Sequence, residues 1–172
     1  MEITELLKIL IPALLVLLTA YLLLDKMMKN EEKRRQFELT RENISKLTPI
    51  RLRAYERLIL VLERTLPANL VLNTIKPEMS NLELHGQLLT TVRNEFSHNI
   101  SQQIYVSDEL WMHIRGAHES LLKLVNTCAA QCNPANPAAE LAERIIQIFS
   151  SSDKTPSELA IDKLKNEVRS FL

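Results

Sequence analysis

Only two glycines, Gly86 and Gly116, occur in 172 residues, and both sit inside runs that otherwise read as helix. At the usual frequency of about 7% a chain this long carries roughly 12. The shortage excludes whole classes of protein. A Walker-type phosphate loop needs two glycines before a lysine, and a dinucleotide fingerprint needs three within six residues. No Asn-Gly or Asp-Gly turn occurs, so a strand-rich fold lacks its commonest hairpin chemistry. The chain therefore reads as all-α. A glycine inside a helix costs about 0.5–1 kcal/mol relative to alanine, so at least one of the two is expected at a close approach between helices.

The first 24 residues differ from everything after them. Ile9 to Leu24 holds 16 residues without a charge, 11 of them Leu, Ile or Val, and Leu6 to Leu24 is interrupted only by Lys8. Nineteen residues at about 1.5 Å each rise roughly 28 Å, close to the ~30 Å hydrocarbon thickness of a bilayer. The reading is a transmembrane anchor over 1–24, with Lys8 snorkelling at one end and Pro12 tolerated nearby. A cleaved signal peptide fits less well, because the start is Met1-Glu2 and no small-x-small site follows the apolar run. One basic residue precedes the run and five follow it closely: Lys26, Lys29, Lys33, Arg34 and Arg35. The positive-inside rule then puts the N-terminus outside and the rest in the cytoplasm, at the inner (plasma) membrane, with those five residues near anionic lipid headgroups. In that reducing compartment Cys128 and Cys132 are thiols, and the glycosylation patterns at Asn43 and Asn99 are incidental.

Residues 25–46 hold seven basic and five acidic residues and no Gly or Pro, which predicts a charged helical stalk. Phe37, Ile44 and Leu47 form a seam too short for a coiled coil. Residues 47–172 suffice for one domain, a compact bundle of about five helices. Thr48-Pro49 predicts a helix start, with helix over 50–64 closed by Pro67, and Ala68 to Glu78 reads as an irregular connection. Ser80-x-x-Glu83 and Thr155-Pro156-Ser157-Glu158 are capping boxes, Ser107 opens the longest helix, and Asn136-Pro137 caps the next.

Few residues suggest chemistry. Glu95-x-x-His98 occurs once, whereas a di-metal bundle needs a second copy and further carboxylates. His113 and His118 precede Cys128 and Cys132 on one predicted helix. Cys128 lies ten residues past His118, about 15 Å along the axis, so one straight helix cannot wrap them around an ion. No nucleophile elbow or zinc-protease motif is present. The expectation is no catalytic residue, no metal and no cofactor. Residues 47–172 carry 13 basic and 14 acidic residues, so nucleic acid is not an expected partner. Arg53, Arg57 and Arg64 fall on one helical stripe, read as a solvated face beside Glu56 and Glu63, and Trp111 reads as core. The polar run around His98, Asn99, Ser101, Gln102 and Gln103 either bridges to a protein partner or caps two helix ends.

Thr48-Pro49-Ile50-Arg51-Leu52-Arg53-Ala54-Tyr55-Glu56-Arg57, Asn69-Leu70-Val71-Leu72 and Glu95 to Tyr105 together resemble an uncharacterised bacterial family of short single-span membrane proteins with a helical cytoplasmic domain. The resemblance implies that architecture and no activity. The leading expectation is a membrane-tethered, non-enzymatic interaction or scaffold protein at the cytoplasmic face. The alternatives are an accessory subunit whose span packs inside a larger membrane complex, and a metal-dependent enzyme around Glu95 and His98.

Overall fold

The computed structural model describes the backbone of residues 3–151 and 154–171, and the side chains within them other than those of residues 3–9, 12, 13, 43 and 171. Among the described residues six α-helices follow in order: α1 (Ile3–Arg64), α2 (Pro67–Thr74), α3 (Asn81–Asn99), α4 (Asp108–Ala129), α5 (Ala138–Ser150) and α6 (Pro156–Phe171). A 3-10 helix, Ile100–Tyr105, joins α3 to α4. No strand occurs among the described residues, only an isolated bridge between Ser80 and Pro137. The chain divides into two compact units, Met1–Thr48 and Pro49–Leu172.

The helix starts follow the sequence chemistry closely. The Ser80 N–H donates to Glu83 Oε2 at 2.8 Å, and the Glu83 N–H returns the bond to Ser80 Oγ at 3.3 Å. Thr155 and Glu158 repeat the exchange at 2.9 and 3.3 Å. Each box satisfies donors that the first helical turn leaves without partners. In both, the hydrogen bonds to the threonine or serine hold the glutamate below the usual carboxylate range.

Three local expectations fail. Thr48-Pro49 does not start a helix, because α1 runs through it. Thr48 turns its hydroxyl back to the Ile44 carbonyl at 2.7 Å instead of capping, and proline costs the helix one backbone donor without ending it. Residues 67–74 are helical, with Pro67 in the first turn and Leu70 and Val71 buried, so the proline that reads as a stop is a start. Asn136 does not cap α5. Pro137 holds that position, and Asn136 donates its amide to Glu140 at 2.8 Å.

The transmembrane reading is also corrected, and with it the inner-membrane, N-terminus-out placement. Among the described residues no helix is long and apolar enough to cross a membrane. The 19-residue count includes Lys8 and the turn around it, whose side chains lie outside the described set. The unbroken uncharged stretch, Ile9 to Leu24, is 16 residues and rises only about 24 Å between Lys8 and Asp25, short of the ~30 Å required.

Within the Pro49–Leu172 unit, α4 is the common wall of two cores. Its inward row repeats at three and four residues. Leu110, Ile114 and Ala117 pack with Tyr55, Leu58 and Leu62 of α1 and Ala160, Ile161 and Leu164 of α6. One or two turns on, Leu121, Val125 and Cys128 pack with Leu84, Leu88 and Val92 of α3, Leu141 and Ile145 of α5, and Leu70 and Val71 of α2. Trp111 flanks the first core, half-buried, its ring stacked on Phe96 with centroids 5.5 Å apart.

The glycine expectation is not met. A Cβ added at Gly86 or Gly116 meets nothing within 4 Å, so neither marks a close helix approach, and neither has a positive φ. The one described non-glycine residue in the left-handed region is Glu78, at φ 62°, in the turn before Ser80.

Candidate interaction surfaces

In the Met1–Thr48 unit the described side chains from Leu10 to Leu24 form a continuous apolar surface. Leu10, Ile11, Leu14, Leu15, Val16, Leu17, Leu18, Tyr21, Leu22, Leu23 and Leu24 are each 49–71% exposed. At 100° per residue such a run covers every side of the helix, not one stripe. Thr19 does not interrupt it chemically. Its hydroxyl lies 3.0 Å from the Leu15 carbonyl and 2.9 Å from that of Val16, so its proton is used within the helix. Monomeric proteins seldom leave contiguous apolar patches above a few hundred Å² bare.

Beyond Leu24 charge replaces hydrocarbon, and much of it is paired along the helix. Lys29 meets Asp25 at 2.8 Å, Arg34 meets Glu38 at 2.9 Å, Arg35 meets Glu31 at 3.9 Å and Lys46 meets Glu42 at 2.7 Å. The Glu38 hydrogen bond pushes Arg34 upward from its already high pKa. Lys26, Lys29, Lys33, Arg34 and Arg35 are thus part of a mixed-charge helix. The headgroup contact expected of these five is tied to a span beside them, and among the described residues no helix is long and apolar enough to be one.

The second surface lies in the Pro49–Leu172 unit, on the 3-10 helix. Of the residues expected there, His98, Ser101 and Gln103 are exposed and Asn99 and Gln102 half-buried. The Asn99 amide donates to the Glu95 carbonyl at 2.9 Å, which fixes the end of α3. Gln102 reaches Ser101 Oγ at 3.3 Å. The polar run therefore does part of the capping expected of it. Sequence reading missed the apolar part of the same segment: Ile100 and Ile104 stand 48% and 73% exposed.

A part-buried polar network holds the far end of this segment. Arg51 of α1 donates through Nε to the Tyr105 carbonyl (3.1 Å) and through Nη2 to Tyr55 Oη (3.0 Å). Its guanidinium also lies 5.9 Å from the Tyr55 ring centroid. Tyr55 donates to Glu167 Oε1 of α6 at 2.8 Å. The Ser107 N–H reaches the same oxygen at 3.0 Å, and its hydroxyl donates to Glu167 Oε2 while accepting from the Leu110 N–H. One carboxylate thus ties α1, α6 and the start of α4 together. Burial alone raises the Glu167 pKa, but the bonds from Ser107 and Tyr55 outweigh it and leave it lowered. Burial, and then the bond to Glu167, raises Tyr55. A cleft of about 280 Å³ opens beside the network, lined by Ser107, Glu109, Lys163, Glu167 and Ser170, with Lys163 paired to Glu109 at 2.5 Å.

The remaining candidates stay apart. Glu95 faces Arg64 at 3.7 Å, an ion pair linking α3 to α1, while His98 is exposed. Arg64 therefore pairs across helices and not with its neighbour Glu63; Arg53 and Arg57 are exposed. His118 stacks on Phe96 at 4.1 Å and is pushed down by burial, and Cys128 is pushed up by burial. Both cysteines are buried free thiols. Among the described residues, no three His, Cys, Asp or Glu side chains come together as a metal set would require.

Fold and surfaces define an all-helical protein whose second unit is a bundle built around one central helix. The chain belongs to a family of unknown function, DUF7935, whose model matches residues 1–171. No curated protein and no solved structure matches it.

Proposed function

We propose that this chain is a non-enzymatic protein-interaction or scaffold protein. One observation carries the reading: the apolar side chains from Leu10 to Leu24 are bare around the whole circumference of α1. Leaving a Leu side chain in water instead of burying it forgoes about 1.5–3 kcal/mol, so a surface of this kind has a large incentive to be covered. The exposed Ile100 and Ile104 give the bundle unit a second, smaller apolar contact. Several polar groups of the bundle are used internally, as in the Arg51–Tyr55–Glu167–Ser107 network.

The test is cross-linking in living cells followed by affinity purification of the full chain, compared with the Leu17→Glu/Leu18→Glu double variant. The expected result is a defined protein partner captured in near-stoichiometric yield by the wild type and lost in the variant. Identical recovery from both would refute the reading.

A further inference from the structure

We infer that the protein covering the Leu10–Leu24 surface is this same chain, and that three or more copies associate through α1. The inference rests on the interaction reading above and specifies its partner. A surface is recognised by its complement, and this one is hydrocarbon apart from the exposed Tyr21 hydroxyl, since Thr19 closes its own hydroxyl onto Leu15 and Val16. Its complement is another apolar helix of about the same length. The chain supplies one.

Area and charge agree with a copy as the occupant. A fully exposed Leu-sized side chain offers roughly 60–120 Å², taking 1.5–3 kcal/mol at 25 cal/mol/Å². Thirteen large apolar residues between Leu10 and Met28 stand about half to three-quarters exposed. They present roughly 480–950 Å², a range that brackets the ~800 Å² per partner of a standard stable interface. One neighbouring helix covers only about half of a helix circumference, and here every side is apolar, so a bundle of several copies buries what a pair leaves wet. Past Leu24, the pairs Lys29–Asp25, Arg35–Glu31 and Arg34–Glu38 neutralise charge within each helix. Copies lying side by side therefore meet mixed charge, not a bare row of one sign.

Sedimentation velocity on the full chain in detergent-free buffer, over roughly a hundredfold concentration range, tests this. The expected wild-type species has at least three times the 19.8 kDa chain mass. Leu17→Glu/Leu18→Glu, which keeps good helix formers at both sites, is expected to fall to the single-chain mass. Trp111 emission and helical ellipticity serve to show that the bundle unit is intact. Leu17→Ala/Leu18→Ala is the milder second variant, expected to shift the association midpoint at least tenfold.

A wild-type monomer at every concentration overturns the inference, as does an assembly unchanged by both variants, or a single chain recovered only in detergent micelles or on phosphatidylglycerol vesicles. If the chain is monomeric but the cellular cross-linking still captures a different protein that the Glu variant loses, this inference fails and the interaction reading stands. If neither experiment responds to the substitutions, both fail.

Discussion

Replacing the two glycines by alanine should stabilise the bundle unit. Gly86 lies in the middle of α3 and Gly116 in the middle of α4, each with ordinary helical backbone. An added methyl meets nothing within 4 Å at either site, so no packing term opposes the change. What remains is helix propensity, about 0.8–1.0 kcal/mol per exposed interior glycine. Gly86→Ala/Gly116→Ala should thus gain about 1.5–2 kcal/mol, raising the melting midpoint by roughly 6–8 °C for a unit of this size. Urea unfolding followed by Trp111 emission is the assay; the midpoint should rise with an unchanged slope. Glu78→Gly tests the converse, since Glu78 holds a left-handed conformation that glycine adopts freely. Relief of about 1–2 kcal/mol of strain, less the extra entropy of an unfolded glycine, leaves a gain of about 0.5 kcal/mol. If Gly86→Ala or Gly116→Ala lowers stability by more than about 0.5 kcal/mol, a close approach exists at that site and the reasoning is wrong.

Three further outcomes follow from buried and half-buried groups. Glu167 is held below its ordinary value of 4.5, so its contribution is present above that pH and is lost as pH falls through the folded value. Glu167→Gln should therefore lower stability at pH 7 and flatten the acid limb below about pH 4.5, read by urea midpoints from pH 3 to 7. Asn81, 2% exposed, donates to the Asn133 carbonyl and Glu140 and accepts from the Leu141 N–H. Asn81→Leu strands that N–H and should cost about 2–3 kcal/mol by the same assay. Cys128 and Cys132 are buried and Cys128 is pushed toward the neutral thiol, so a thiol reagent at pH 7.5 should label neither in the native chain within minutes and both in urea.

The capping boxes were legible in the sequence because their partners lie three residues apart: Ser80 with Glu83, and Thr155 with Glu158. Competition between local signals was not. Pro67 reads as a stop yet opens α2, and Thr48 reads as a cap yet bonds back to Ile44, because a proline suits a first turn as well as an end and a threonine hydroxyl can bond forward or back. The Tyr55–Glu167 bond joins residues 112 apart, and Arg51 reaches Tyr105 across 54. No periodicity encodes such a pair. A tyrosine and a glutamate on separate amphipathic helices look like any others until α4 brings α1 and α6 together. Ile100 and Ile104 were hidden differently: isolated aliphatics in a polar run give no repeat to detect.

The apolar run shows the difference between composition and geometry. Hydropathy counted residues 6–24 and found enough hydrocarbon, but spanning is a condition on unbroken length. The uncharged stretch from Ile9 to Leu24 rises only about 24 Å, so a bilayer would have to accommodate Lys8, or Asp25 and Lys26, within its edges. Packing against protein sets no such minimum. A neighbouring helix can cover four apolar turns and leave Asp25 to pair with Lys29 in water, which is where that pair already sits, with its side chains 45% and 70% exposed. The same residues that stop short of a membrane are therefore enough for a helical interface, and the charged turns that follow set where it ends.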